Sequence, residues 1–526
     1  MENRYYEGKQ MTAMVIPLAG APSPSLPNWS AINWKQVVEH VRRLQIRIAK
    51  AYREGKHSKA KSLQWILSHS FYAKLFAVKR VVQNRGSKTP GVDNVMWKTK
   101  VQKIQAATSL KRRGYQTKPL KRIYIPKKQK GKLRPLSIPP MACRAMQALH
   151  LLALEPIAEM MADKSSYGFR PLRSAADAIE KCFKALSLKR SSQYVLEGDI
   201  RACFDSISHQ WLIENIPVDK EILRKWLRAG YIEKGKLYST ELGTPQGGII
   251  SPTLLTITLS GLESAVKAVT KRTEKVNVCI YADDFIITGA NKEVLENKVK
   301  PAVEAFLNER GLSLSKEKTK ITHINDGFDF LGMNIRKYKG KLIIKPAKDS
   351  VKEFLADIRE TIKSNATSKT VSLISLLNPK IRGWSNYYRH VCSSRTFNRI
   401  DHEIFKAIWR WAVRRHPHKG AKWVAQRYFH KRQHRNWVFG TTIRKQDGNL
   451  VNYDLILASK TTIQRHILIR SEATPYDPAY HEYFDKRVSK LDSAKRRGRR
   501  SNWWTCWWRL FKLEETEKAV SPKVAL

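Results

Sequence analysis

The sequence predicts an α+β protein of several domains, and three observations carry that expectation. Long stretches repeat apolar residues at helical spacing, with Lys and Arg on the opposite face. Short β-branched and aromatic runs, at Tyr194–Ile200, Val276–Ile280 and Phe285–Thr288, read as strands. A chain of 526 residues, 42% of them hydrophobic, has core enough for about three or four domains. Charge is the loudest feature of the composition: Lys+Arg 98 against Asp+Glu 45 gives a net +53. The excess is spread along the chain, and from Asn94 through Leu154 there is no Asp or Glu at all. Such a field repels itself unless a polyanion meets it. Nucleic acid is the usual one and an anionic membrane surface the competitor.

The six cysteines lie far apart, with no Cys-x-x-Cys spacing, which argues against structural zinc and against a disulfide framework. The N-terminus carries Glu2 and Glu7 and no long apolar core, so it reads poorly as a signal peptide. No run approaches the roughly 20 apolar residues that span a bilayer. These features predict a soluble, intracellular protein.

In chain order, residues 1–29 form a Pro-rich flexible arm. Val37, Val38, Val41, Leu44, Ile48 and Tyr52 mark one helix face, and Leu63, Leu67, Leu75 and Val78 mark a second helix over Lys59–Gln83. This basic-backed pair suits a phosphate backbone, and equally a solvated surface. Arg85–Asp93 is loop chemistry. A strand at Arg122–Pro126, a basic turn at Lys127–Lys132 and an extended path from Leu133 to Pro139 make a hairpin with cationic tips. That shape suits a triphosphate or backbone phosphates. Helices follow over Arg144–Met161 and Ser174–Leu186, with a break at Ser166–Pro171.

The strand at Tyr194 ends in Asp199. The loop Thr244-Pro245-Gln246-Gly247-Gly248, whose glycines let backbone approach a ligand, leads into a helix over Ser251–Thr270. Tyr281-Ala282-Asp283-Asp284 is the tip of a hairpin. Its adjacent carboxylates raise each other's pKa, which makes sense beside a hard divalent cation or in a solvated acidic turn. An amphipathic helix over Glu293–Arg310 and a strand pair within Lys320–Ile335 complete this part.

Together these are the parts of a palm-type polymerase, in which two divalent cations clamp the attacking 3′ oxygen and the leaving pyrophosphate. The ordered set resembles the reverse transcriptase/maturase encoded by group II introns. The matching motifs are the Arg85–Asp93 loop, Ile125-Pro126-Lys127…Arg134-Pro135-Leu136, Tyr167-Gly168-Phe169-Arg170-Pro171, Asp199…Phe204-Asp205, Pro245-Gln246-Gly247-Gly248, Tyr281–Asp284 and Phe330-Leu331-Gly332. The resemblance runs from about residue 30 to residue 430. It implies a right-hand fold: fingers and palm over 30–340, an α-helical thumb and maturase domain over 341–430, and a small basic DNA-binding region over 431–526. It implies that Asp199, Asp283 and Asp284 hold two Mg2+ ions, with the Ile200 carbonyl as a further ligand. Lys127 and Arg134 then bind the incoming dNTP triphosphate, Phe204 excludes a ribose 2′-hydroxyl, and Gln246 contacts the nascent pair. Tyr281, Phe330, Leu331 and Gly332 fall on the primer and template. Met141-Ala142-Cys143-Arg144 departs from the pattern, since relatives commonly carry Asp before the Arg; that puts a finger-domain ion pair in doubt.

Beyond the palm, Val351, Phe354, Leu355, Ile358 and Ile362 mark one helix. Asn378 opens a second that runs through Gly383-Trp384-Ser385-Asn386-Tyr387-Tyr388-Arg389, and Ile404–Arg415 makes a third. The Gly-Trp-Ser-Asn-Tyr-Tyr-Arg run resembles the family's maturase domain, which implies that Lys380, Arg382, Trp384, Tyr388 and Arg389 bind intron RNA. Packing of Trp384 and Tyr388 in the thumb core is the alternative. Past about residue 430 the likeness fades. Thr474–Pro478 and the cluster Lys495, Arg496, Arg497, Arg499 and Arg500 suit DNA, and lone Cys506 implies no zinc-stabilised endonuclease. The Trp503–Trp508 run suits a terminal core plug or base stacking, and His481 reads as a surface histidine.

The function implied is RNA-directed DNA synthesis together with assisted splicing and reverse splicing of a group II intron, the cDNA being primed at the DNA target. The implied partners are the intron RNA and target DNA, with room for a homodimer and no membrane. The implied location is the cytoplasm or nucleoid of a bacterium, or an organelle matrix. A splicing-only maturase, or a reverse transcriptase of a retron or diversity-generating element, are the alternatives. Retention of all three Asp speaks against the first, and the long thumb against the second.

Overall fold

A computed structural model describes residues 28–126, 133–432, 435–444 and 448–493. Asn33 caps α1 (Trp34–Arg53) by accepting from the Gln36 amide at 3.2 Å, and its apolar stripe Val37, Val38, Val41, Leu44 and Ile48 is buried. The single helix expected over 59–83 is two, α2 (His57–His69) and α3 (Phe71–Gln83). The chain turns at Ser70, an extended residue whose type favours helix ends. The break lets α2 pack mainly on α1 and α3 mainly on α5.

After α4 (Lys100–Ser109) come β1 (Leu120–Pro126) and β2 (Leu133–Ile138), paired antiparallel as the sequence suggested. The long helix α5 (Met141–Met161) is buried along nearly its whole length. Arg144 at its start makes no ion pair among the described residues: its guanidinium donates to the carbonyls of Gly86, Thr89 and Pro139, tying the 85–93 loop to α5. Then follow α6 (Ala175–Leu186), β3 (Tyr194–Asp199), α7 (Cys203–Ser206), α8 (His209–Asn215), α9 (Lys220–Leu227), β4 (Tyr231–Glu233) and β5 (Lys236–Tyr238). The last two short strands were not expected; β4 runs parallel to β1 and extends its sheet to the order β2-β1-β4-β5.

The helix expected over 251–270 is also two, α10 (Ser251–Thr258) and α11 (Leu262–Ala268). The Asp163 carboxylate caps α11 by accepting from the Gly261 and Glu263 amides. Next are β6 (Asn277–Tyr281) and β7 (Asp284–Gly289), then α12 (Lys292–Val294), which passes through a π turn into α13 (Lys300–Asn308). The strand pair expected within 320–335 divides between sheets. β8 (Lys320–His323) joins the central sheet, in the order β6-β7-β3-β8, whereas β9 (Phe328–Phe330) and β10 (Met333–Tyr338) pair with β11 (Lys341–Pro346).

Four helices follow: α14 (Lys348–Lys363), α15 (Thr370–Tyr388), α16 (Ser394–Arg414) and α17 (Ala421–Tyr428). α15 begins well before Asn378 and runs through Pro379, and α16 begins ten residues ahead of Ile404. Pro379 resembles a helix-opening proline in sequence, but here it sits inside a helix held by tertiary packing. β12 (Phe429–Arg432), β13 (Arg435–Arg444) and β14 (Leu450–Asp454) make a small antiparallel sheet that straddles residue 430.

From residue 455 the chain returns as a strap to the N-terminal helices and ends the described residues in α18 (His481–Ser493). Asp177, fully buried, accepts from the Ile469 amide and pairs with His466 and Arg487. Asp477 pairs with Arg53, and the buried Tyr476 hydroxyl donates to Glu155. Thr474–Pro478, expected at DNA, is therefore packed into the fold. His481 is half-buried against Arg42 rather than a surface histidine. A single apolar core runs through all of these parts.

Candidate active site

Sheet register brings two of the carboxylates together: β3 and β7 run antiparallel with Asp199 directly opposite Asp284. Strands β6 and β7 close through the two-residue turn Ala282-Asp283, flanked by the partners Tyr281 and Asp284. Ala282 sits at φ 59°, in the left-handed region, which costs a residue with a Cβ about 1–2 kcal/mol. The turn is braced from behind. The Tyr167 amide donates to the Ile280 carbonyl at 2.9 Å and the Ile280 amide to Ser165 at 3.0 Å. Gly168 then lies so close that an added Cβ would stand 2.1 Å from the Ala282 nitrogen. The brace is anchored by a buried bidentate pair, Arg170 on Glu159 at 2.8 and 3.1 Å, which Arg173 joins at 3.0 Å.

The electrostatics suit a cation. Partial withdrawal from water, then the charges of Asp283 and Asp199, push the Asp284 carboxyl up to about 6, with Lys318 opposing. Asp284 keeps one side open to solvent. Lys318 donates to both Asp199 oxygens at 2.9 and 3.0 Å. The Ser315 amide binds the Asp199 carbonyl and the Arg201 amide binds Ser313, leaving the Ile200 carbonyl without a partner among the described residues. Crowded carboxylates, a raised pKa and a free carbonyl are the donor chemistry of a hard divalent cation, so the residues fit one. The carboxylates do not yet converge: among the described residues no three acidic, His or Cys side chains gather at ligand spacing.

Around this corner, Phe204 meets Phe169 edge-on at 6.3 Å, and the Thr244 amide donates to the Phe204 carbonyl at 2.6 Å. The Gln246 carbonyl accepts from the Ser137 amide at 2.7 Å, so the glycine-rich loop is fixed to β2. Arg134 is exposed on β2 opposite Ile125. Lys127 lies outside the described residues, as do Lys495, Arg496, Arg497, Arg499, Arg500 and the Trp503–Trp508 run. Phe330 is buried, so its ring belongs to the core, and Leu331 and Gly332 form the turn that follows it. Tyr387 and Tyr388 donate their hydroxyls to the Leu331 and Gly332 carbonyls at 2.9 and 3.1 Å, clamping that turn to α15.

Trp384 and Tyr388 both take part in the packing of the thumb helices. Tyr388 is only 4% exposed, and Trp384 stacks on Phe354 at 4.9 Å and packs against Phe397. Both rings build the core between α14, α15 and α16. Lys380 is paired with Asp357 at 2.6 Å and Arg389 donates to Gln464 at 2.7 Å, whereas Arg382 has no partner among the described residues. Sequence reasoning missed Lys318, one lysine among many in a +53 chain, and Tyr387 as a clamp.

Family models match three consecutive parts of the chain. Residues 29–110 match the N-terminal domain of reverse transcriptase, 125–335 the reverse transcriptase (RNA-dependent DNA polymerase), and 351–429 the group II intron maturase-specific domain. Protein YkfC of Escherichia coli (strain K12) is 34% identical over 302 residues, covering 49% of this chain and 78% of that one. The chain belongs to the group II intron reverse transcriptase/maturase family. The group II intron-encoded protein LtrA of Lactococcus lactis subsp. cremoris is 28% identical over 411 residues, 59% of this chain and 68% of its own. A 91 kDa protein in the cob intron of Schizosaccharomyces pombe is 28% identical over 383 residues, 57% of this chain and 47% of its own. Membership makes this chain an RNA-directed DNA polymerase, working by metal-dependent nucleotidyl transfer, and a maturase that binds intron RNA and assists its splicing. Among the described residues no helix is long and apolar enough to cross a membrane.

Proposed function

We propose that this reverse transcriptase/maturase copies intron RNA from a DNA primer at the insertion site. Asp199, Asp283, Asp284 and the Ile200 carbonyl would hold two Mg2+ ions. The observation that carries the reading is the register of β3 against β7, which sets Asp199 across from Asp284 beside the braced turn. When bound, two divalent ions supply a more acidic 3′-hydroxyl and neutralise charge on the leaving pyrophosphate. The chain's own residues do the rest. Asp199 would give up its Lys318 contact to hold an ion, and Lys127 and Arg134 would neutralise the triphosphate. Phe204, backed by Phe169, crowds the sugar 2′ position, and Gln246 meets the nascent pair. Tyr281 and the backbone of Leu331-Gly332 hold the primer, the latter through the Tyr387 and Tyr388 clamp.

In this reading residues 30–340 are fingers and palm, 341–430 the thumb and maturase domain, and 431–526 a basic region that meets target DNA through Lys495–Arg500. Of the three candidate thumb cations Lys380, Arg382 and Arg389, Arg382 is the one whose side chain has no partner among the described residues, and Lys380 and Arg389 are available if their present partners yield. The test is a ribonucleoprotein of the full chain and its intron, given a DNA duplex bearing a 3′ end at the insertion site. Intron cDNA joined covalently to that DNA strand is expected. Robust extension of an annealed primer with none from the DNA end would overturn the target-primed reading.

A further inference from the structure

A chamber of about 610 Å³ opens between α2, α5 and the start of α9, away from the carboxylates. Its floor is the apolar face of α5, at Met146, Leu149 and Ile157, and set among them is His150. That side chain is 7% exposed, edge-on to Trp226 at 5.5 Å, and makes no hydrogen bond among the described residues. Burial lowers its pKa to about 4, so near neutral pH the ring offers one N–H donor and one acceptor to the chamber. Both lie at the chamber wall, where a polar edge entering it would find them.

The rim is aromatic and cationic. Trp65 is 61% exposed, with one face stacked on His69 at 4.2 Å and the other uncovered. A second cavity of about 490 Å³ shares Trp65, His69, Lys74 and the ion-paired Arg112 and Asp219 with the first, and adds Lys111 and Arg113. The side chains of Lys61, Lys74, Lys111 and Arg113 make no ion pair or hydrogen bond among the described residues. Four uncommitted cations around one mouth call for an anion of several charges. The depth of the chamber, a free indole face and a donor–acceptor pair at its end call for a flat heterocycle. A nucleotide answers both, and the polynucleotide this chain's maturase domain points to is intron RNA.

We propose that this chamber takes one unstacked base of the intron RNA, with Trp65 on its face, His150 at its edge, and flanking phosphates on Lys61, Lys74, Lys111 and Arg113. The inference rests on the chain's intron-RNA partner and adds a site separate from the polymerase centre.

The test uses the full chain and four homopolymeric RNA hexamers, each with its central base intact or abasic. Wild type should bind at least one intact hexamer about tenfold tighter than its abasic form, the scale of one aromatic–base stack. Trp65→Ala, a change at an exposed position, should abolish that contrast, and His150→Phe, which keeps an aromatic ring but removes its donor and acceptor, should shrink it while leaving the salt dependence in place. A contrast absent from wild type, or undiminished in both variants, would overturn the proposal. So would a hexa-glutamate peptide that displaces the hexamers from wild type but not from Trp65→Ala, since the occupant would then be an acidic protein segment. Failure of wild type to hold the whole intron would instead remove the RNA reading itself.

Discussion

Replacing Gly168 by Ala should disable polymerisation while leaving the protein folded. The added Cβ would lie 2.1 Å from the Ala282 nitrogen, 2.8 Å from the Tyr281 carbonyl carbon and 2.9 Å from the Ala282 Cα. All three are backbone, so no side chain can rotate away. The brace itself cannot retreat, because Tyr167 and Ser165 are hydrogen-bonded to Ile280 and Arg170 is locked on Glu159. The Ala282-Asp283 turn must therefore move by about an ångström, and displacement on that scale costs on the order of 100-fold in rate. Overpacking of this kind costs about 1–3 kcal/mol of stability, a fall of a few degrees in Tm. Single-turnover primer extension on an RNA template, with primer–template affinity measured separately, reads the effect. Affinity near wild type with a rate down roughly 100-fold is the expected result. Extension within threefold of wild type by a folded Gly168→Ala protein would refute the bracing argument.

Three further outcomes are expected. Arg382→Gln should lower the slope of log affinity for intron RNA against log salt by about one, as for the loss of one phosphate contact, in a filter-binding series. Trp384→Ala should instead cost about 3–5 kcal/mol of stability by melting, because its ring is core between α14 and α16. Asp177→Asn should free the strap over 455–493 to limited proteolysis. Burial alone would raise Asp177, but His466 and Arg487 hold it below the usual carboxylate range, so its stabilisation is present above the unfolded pKa and lost as pH falls through the folded one. The wild-type strap should accordingly loosen under acid conditions, and the Asn variant should show little of that pH dependence.

The catalytic corner was legible because strand chemistry is local. Tyr194–Asp199 and the two arms around Ala282-Asp283 alternate and end in ways that fix both strands and turn, and their pairing follows from short-range register. Elements whose form depends on distant partners were not legible. The break at Ser70, the run of α15 through Pro379 and the transfer of β8 to the central sheet are set by what each face packs against. The strap was the largest surprise. Thr474–Pro478 looks like polar loop chemistry, yet Tyr476 and Asp177 are buried by partners about 300 residues away, a separation that leaves no local trace. Trp384 and Tyr388 show the same limit: aromatic–basic interleaving reads alike whether the rings meet RNA or each other.

If Asp199, Asp283 and Asp284 serve polymerisation and not splicing, the two activities should separate when both are measured, across a magnesium titration, on one preparation each of wild type, Asp199→Asn, Asp283→Asn and Asp284→Asn. Each variant should lose RNA-templated primer extension at every magnesium concentration while splicing its intron as wild type does. Extension undiminished in any of the three, or splicing lost in step with it, would contradict the account.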